Sequence, residues 1–249
     1  FLIDETFLQV DLFEKSALVK CTLNMKRNLE SLGPQNANLV LDGDHQLNTL
    51  SVKVDEITLS TDKYRIEGNK LIVSDLPSNF SLSTEVEISP YENTRLEGFY
   101  RSGEIFCTQC EAEGFRNITW YLDRPDVMSV FTTTISAEKK YPTLLSNGNK
   151  IASGESEHRH WATWSDPFPK PSYLFAMVVG DLASLEEAYV TGSGREVELK
   201  IFTEKHNIDK VDFAMSSLKN AMRWDEKTYG REYDLDIFMI VAVESFNMG

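Results

Sequence analysis

A mainly β fold is expected, an N-terminal curved antiparallel β-sandwich followed by a short α/β segment, and three observations predict it. The first two-thirds of the chain carries many short apolar runs, and the clearest alternate apolar with polar residues, the two-residue period of a half-buried strand. Asn, Gly, Pro and Asp punctuate these runs, the spacing of a sandwich or a wide curved sheet. Around Gly180-Asp181 the pattern changes to a strand, an amphipathic helix and an uninterrupted apolar run. The expected division is therefore 1–182 for the sandwich and 183–249 for the α/β segment.

The elements follow in order. Leu8, Val10 and Leu12 alternate, and so do Ala17, Val19, Cys21, Leu23 and Met25 against Leu18, Lys20, Thr22 and Asn24. Shorter runs at 39–41, 50–54, 71–73 and 86–88 predict further strands, with turns at Gly33-Pro34, Asp42-Gly43, Gly68-Asn69 and Leu76-Pro77. Asp123-Arg124-Pro125-Asp126 predicts a short helix start, with proline in the first turn. Strands are expected at 131–136 and 173–179. Between them, Pro167-Phe168-Pro169-Lys170-Pro171 predicts an extended connector, because each proline restricts the residue before it. Residues 196–202 alternate as a strand. A helix is expected from Asn207, a good N-cap, with Ile208, Val211, Met215, Leu218 and Met222 as one apolar stripe. Gly230 ends it, and the apolar run 237–243 predicts a strand buried on both faces.

Composition narrows the function classes. A chain of 249 residues accommodates one large domain or two. Its net charge of -14 opposes sequence-independent nucleic-acid binding, which needs Lys and Arg on phosphates. That charge promotes solubility first, and secondarily favours cationic ligands such as a peptide ammonium. No apolar run reaches the length of about 18 residues that spans a membrane. Three cysteines do not suggest a disulfide framework and point to a cytoplasmic setting.

Several motifs compete for a chemical role. Cys107-Thr108-Gln109-Cys110 is a C-x-x-C, but one pair supplies only two of the four ligands of a zinc site. His158-Arg159-His160 puts two imidazoles on one face of a strand, where a surface or packing role outweighs a metal site. There is no H-E-x-x-H, no G-x-S-x-G and no glycine-rich phosphate loop. Gln109 and Glu111 lie two residues apart, so an extended backbone would aim an amide and a carboxylate the same way. Chemistry alone favours a solvated polar strand edge there. The alternative is a carboxylate sheltered from water that binds a primary ammonium through charge-assisted hydrogen bonds.

At these residues the chain resembles a known family. Leu96-Glu97-Gly98-Phe99-Tyr100-Arg101-Ser102, then Thr108-Gln109-Cys110-Glu111 and Phe115-Arg116, is similar to the zinc aminopeptidase family that includes aminopeptidase N. Tyr121-Leu122-Asp123-Arg124-Pro125-Asp126, the 166–171 stretch with Tyr173-Leu174-Phe175-Ala176, and the closing Phe246-Asn247-Met248-Gly249 fit its bacterial branch. The resemblance implies a curved β domain, then the opening of a thermolysin-like catalytic domain from about residue 183. It implies that Glu111 helps hold the α-ammonium of a peptide with a free N-terminus, and that Gln109 lines the first side-chain pocket. Met248 would cushion that pocket, and Gly249 would open a G-A-M-E-N motif that anchors the peptide. The zinc ligands, the glutamate base and the oxyanion-stabilising tyrosine would lie downstream. The whole enzyme would thus hold zinc, act as a monomer in the cytoplasm, and use the metal to polarise the scissile carbonyl. The 249 residues alone would bind no zinc and be inactive. A stand-alone β-sandwich binding module without catalysis is the alternative.

Overall fold

Alternating burial organises the largest part of the molecule. The computed structural model describes residues 1–30 and 37–246, so the Gly33-Pro34 turn lies outside the described residues. The first strands in chain order are β1 (Leu2–Leu12), β2 (Ala17–Lys26), β3 (Leu39–Asp42), β4 (Asn48–Val54), β5 (Ile57–Thr58), β6 (Tyr64–Glu67) and β7 (Lys70–Val73). There follow β8 (Asn79–Ile88), β9 (Gly98–Ser102), β10 (Ile105–Gln109), β11 (Met128–Glu138), β12 (Thr143–Ser146), β13 (Asn149–Glu155) and β14 (Arg159–Pro171). The last are β15 (Met177–Gly180), β16 (Ala183–Val190), β17 (Glu196–Thr203), the helix α1 (Asp212–Tyr229) and β18 (Ile237–Val241).

Four sheets result. The largest has eight strands in the order β13-β14-β11-β1-β2-β8-β4-β5. All its pairs are antiparallel except β1 with β11, which run parallel with Thr6 opposite Phe131. Smaller sheets are β12-β15-β10-β9, β3-β7-β6 and β16-β17-β18. The fold is mainly β, as expected, with one parallel pair inside the large sheet.

The core sits where the inward faces meet. Leu8, Val10 and Leu12 of β1 and Val19, Cys21 and Leu23 of β2 are buried, and so are Phe131 and Ile135 of β11. Phe115 packs edge-on against Tyr121, Phe131 and Phe175 at centroid distances of 4.8, 5.9 and 5.2 Å, a favourable quadrupole geometry. The Asp42-Gly43 turn owes its glycine to packing, since a Cβ on Gly43 would meet the Trp120 ring at 2.2 Å. A second apolar cluster joins Val197, Leu199 and Ile201 of β17 to Val211, Met215, Leu218 and Met222. β17 and β18 pair in parallel, and α1 lies in the long connection that a parallel pair requires.

Several expectations are corrected. Residues 167–171 belong to β14 rather than to a connector. β13 pairs with β14 no further than Ser165, so this stretch has one open edge, where prolines are tolerated. The expected strand at 173–179 is a 3-10 turn over Ser172–Leu174 followed by β15. Asn147 separates the two, donating to the Leu174 carbonyl at 3.1 Å and accepting from Ala176 N–H at 2.7 Å. Asp123-Arg124-Pro125-Asp126 forms turns and no helix. Asn207 lies inside a 3-10 helix, Lys205–Lys210, and α1 begins after Val211 without a side-chain cap. The apolar stripe is as expected, except that Ile208 only borders the cluster. Gly230 ends the helix with φ +62°. β18 is half-buried rather than buried on both faces, because it pairs on one side only.

Candidate functional site

The segment from Thr108 to Arg116 folds as a corner rather than as a continued strand. β10 ends at Gln109, whose partner on β9 is Gly98. The chain then turns, closed by Gly114 N–H donating to the Cys110 carbonyl at 2.7 Å. Two glycines make the corner possible. Gly98 has φ +71°, and a Cβ there would meet the Asn117 Cβ at 2.6 Å. A Cβ on Gly114 would lie 2.5 Å from the Gln109 carbonyl oxygen. Only glycine supports such close backbone approach.

This corner separates the two residues that an extended backbone would have aligned. Gln109 is buried, 6% exposed, and its Nε2 donates to the backbone carbonyl of Glu111 at 3.2 Å. Glu111 sits in the turn and is exposed. The expectation of a shared face, and of a carboxylate already shielded from water, is therefore corrected. The pleat ends two residues too early for period-two geometry to reach position 111. Among the described residues the Glu111 carboxylate forms no ion pair or hydrogen bond. Glu113, by contrast, pairs with Arg116 Nη1 at 3.1 Å.

A buried anion anchors the corner from behind. Asp123 is 1% exposed. Its Oδ2 accepts from Arg116 N–H and Nε, both at 3.0 Å, and its Oδ1 accepts from Ser172 Oγ at 2.6 Å. The Arg116 Nη2 donates to the Asp123 carbonyl at 2.9 Å. Buried carboxylates persist only with such partners. On the other side, Thr108 Oγ1 accepts from Met177 N–H at 2.8 Å, tying β10 to β15. Reading 123–126 as a helix start missed this role. An acidic residue seven positions after Arg116, within an otherwise apolar-aromatic stretch, was the available signal.

Met248 and Gly249 lie outside the described residues. The chain leading to them is nonetheless located. Ser245 N–H donates to Ser102 Oγ at 3.0 Å, and Tyr100 Oη donates to the Ser245 carbonyl at 3.1 Å. Tyr100 and Ser102 belong to β9, the strand that pairs with β10. Both lie in the 96–102 run that carries the family resemblance, where the sequence gives them no separate role.

The other motifs find structural roles. Cys107 and Cys110 are free and buried, and burial pushes both thiols up, which opposes the thiolate chemistry of a redox pair. His160 Nε2 lies 2.7 Å from the Tyr141 carbonyl, while His158 is exposed in the preceding turn. Among the described residues no group of three or more His, Cys, Asp or Glu is placed to hold a metal ion. No helix among them is long and apolar enough to cross a membrane. Two clefts, of about 540 and 250 Å³, open against β18, and neither is lined by Gln109 or Glu111.

Residues 7–174 match the peptidase M1 N-terminal domain. The chain belongs to the M1 peptidase family. It is 49% identical over 250 residues to aminopeptidase N of Caulobacter vibrioides, covering 100% of this chain and 28% of that protein. It is 54% identical over 219 residues to aminopeptidase N of Escherichia coli K12, covering 87% of this chain and 25% of the relative. The solved structure of Legionella pneumophila aminopeptidase A in complex with aspartic acid superposes with a TM-score of 0.93 at 35% identity, over 100% of this chain and 29% of that one. The chain thus spans little more than a quarter of the length of these M1 relatives.

Proposed function

We propose that the chain is the amino-end-recognising part of a zinc-dependent aminopeptidase that removes N-terminal residues from peptides. On this reading, 1–182 is the β domain and 183–249 opens the catalytic domain. The parent enzyme works as a cytoplasmic monomer. The observation that carries the reading is the unpaired Glu111 carboxylate on a braced corner. Glu113, two positions on, already pairs with Arg116, so Glu111 is the carboxylate of this corner that would meet an incoming ammonium. Gln109 supports it by holding the Glu111 carbonyl, which fixes the backbone that carries the carboxylate. On the same reading Met248 and Gly249, which lie outside the described residues, would belong to that pocket.

Glu111 is exposed in this chain. The walls that exclude water from it would come from the part of the relatives that this chain does not span. The described residues do not fit a zinc ion, so the metal chemistry would also reside there.

The test is Glu111→Ala in the full-length enzyme. A sheltered ammonium–carboxylate pair that loses its anion costs roughly 2–5 kcal/mol. The expected result is a fall of about thirty-fold or more in kcat/KM for unblocked peptides, with zinc content unchanged. Kinetics within twofold of the parent would remove Glu111 as an anchor and the reading with it.

A further inference from the structure

The sheet β16-β17-β18 buries one face and leaves the other partly open. Val197, Leu199 and Ile201 point to one side, into the cluster with Met215, Leu218 and Met222 of α1. Glu198, Lys200 and Phe202 alternate with them and point to the other side, toward the β domain. Register sets their neighbours: Glu198 lies opposite Ile237, Lys200 opposite Met239, and Glu186 of β16 opposite Lys200. Between this face and the β12–β14 strands runs the cleft of about 540 Å³. That volume falls within the roughly 300–1,000 Å³ of ordinary ligand sites.

Floor and rim differ in chemistry. Leu144, Leu145, Trp164, Ile237 and Met239 give the cleft an apolar floor. The indole N–H of Trp164 is already spent on the Leu144 carbonyl at 3.0 Å. The rim is rich in acceptors. Lys200 Nζ is shared between Glu198 at 2.8 Å and Glu186 at 3.3 Å, one cation against two carboxylates. His160 Nε2 lies 2.7 Å from the Tyr141 carbonyl. A carbonyl only accepts, so that nitrogen holds the proton and Nδ1 is an acceptor in the neutral ring. Glu196 continues the acidic row into an adjoining groove that Glu186 and Glu198 also line, and its carboxylate has no partner among the described residues. The facing wall carries Lys150 on the edge strand β13, where it is exposed and its long stem keeps the ammonium in water.

We propose that this cleft binds the side chain of an arginine presented by a peptide, at a site separate from the Glu111 corner. The apolar stem of the arginine lies along Ile237 and Met239. Its guanidinium, all donors and no acceptor, meets Glu186 and Glu198. A planar fork reaches two carboxylates at once, whereas the point between them is already taken by the Lys200 ammonium, so arginine fits better than lysine. An acidic side chain would face the same two carboxylates and is excluded. Neither Gln109 nor Glu111 lines the cleft, so the proposal stands apart from the aminopeptidase reading.

The experiment is calorimetric titration of the full-length enzyme with N-acetylated, C-amidated triarginine, which has no free amino end to offer Glu111. The same peptide built from citrulline keeps the shape and removes the charge, and it should bind at least about tenfold more weakly. Two variants address the cleft. Glu186→Gln/Glu198→Gln removes the paired acceptors, and Ser153→Trp fills the cleft from an exposed position on its wall without changing charge. Each should weaken triarginine binding at least about fivefold. Two controls should bind as the parent does: Glu67→Gln/Glu85→Gln, which removes two charges outside the cleft, and Glu111→Ala. No saturable binding at millimolar peptide overturns the proposal. So does an equal loss in the Glu67/Glu85 control, which would mean attraction to net charge alone. A loss in Glu111→Ala but in neither cleft variant would put the peptide at the corner and also overturns it. Hydrolysis of unblocked peptides is read separately, so a failed cleft leaves the aminopeptidase reading untouched. Should the double glutamine variant not fold, Ser153→Trp decides alone.

Discussion

The carboxylate of Asp123 is the strongest single handle on this fold. Asp123→Ala removes the acceptor for Arg116 N–H, Arg116 Nε and Ser172 Oγ at once. Breaking a buried ion pair by deleting one partner costs about 3–5 kcal/mol. Two features place this case at the lower end. The Arg116 side chain is 23% exposed, and it keeps Glu113 as an ionic partner at 3.1 Å. Its guanidinium is therefore not stranded, whereas the buried Ser172 hydroxyl and the Arg116 amide are. The expected loss is about 3 kcal/mol, or roughly 6–12 °C in melting temperature at 2–4 °C per kcal/mol for a domain of this size. Urea and thermal unfolding of the 249-residue chain measure it. Asp126→Ala is the internal control from the same motif. Its pair with Arg124 is open to water, at 71% and 55% side-chain exposure, and exposed pairs contribute less than about 1 kcal/mol. If Asp123→Ala loses less than about 1 kcal/mol, or no more than Asp126→Ala, the corner is not anchored by this anion.

Two further perturbations probe the glycine corner and the buried thiols. Gly98→Ala forces a Cβ to within 2.6 Å of Asn117 Cβ at φ +71°, whereas Gly68, at φ +56°, has nothing within 4 Å of the added atom. Left-handed strain alone predicts about 1–2 kcal/mol for Gly68→Ala, and overpacking adds about 1–3 kcal/mol for Gly98→Ala. Equal urea midpoints for the two variants would refute the steric account. Burial pushes the Cys21 thiol up from 9.0 to about 12. Between those values the unfolded chain has released a proton that the folded chain still holds. The stabilisation is thus complete below about pH 9 and is lost as pH rises toward about 12. Cys21→Ala should flatten that alkaline slope, and parallel slopes for variant and parent would show that this thiol does not produce it.

How much of this was readable from residues alone depended on whether a local rule governed each element. β2 was legible because Val19, Cys21 and Leu23 are all buried on one face of a long strand, where period two holds without interruption. The α1 stripe was legible for the same reason at period 3.6. The misses occur where distant groups override the local rule. Asn207 has the chemistry of a cap, but Val211 packs into the second cluster and the helix starts after it. The prolines of 167–171 signal a connector, yet β11 still pairs with this stretch through Ser129 and Met128. β18 reads as doubly buried by hydrophobicity alone. Its neighbours, however, supply one partner strand and one open edge.

The site was misread in a more instructive way. The period-two argument for Gln109 and Glu111 assumes that the pleat continues through Cys110. What stops it is a turn whose requirements lie elsewhere in the chain, in the closeness of Gly114 to Gln109 and Cys110, and of Gly98 to Asn117. With the strand ended, the two side chains diverge and their roles divide. The amide turns inward and holds a backbone carbonyl, and the carboxylate turns outward and stays unpaired. A flexible turn would let such an anion relax toward the nearest cation, and Arg116 is close enough to take Glu113. Instead, Asp123 draws the Arg116 Nε and main chain to the rear of the corner. Arg116 is thus shared between the buried Asp123 and the exposed Glu113, and the Glu111 carboxylate is left without a partner among the described residues.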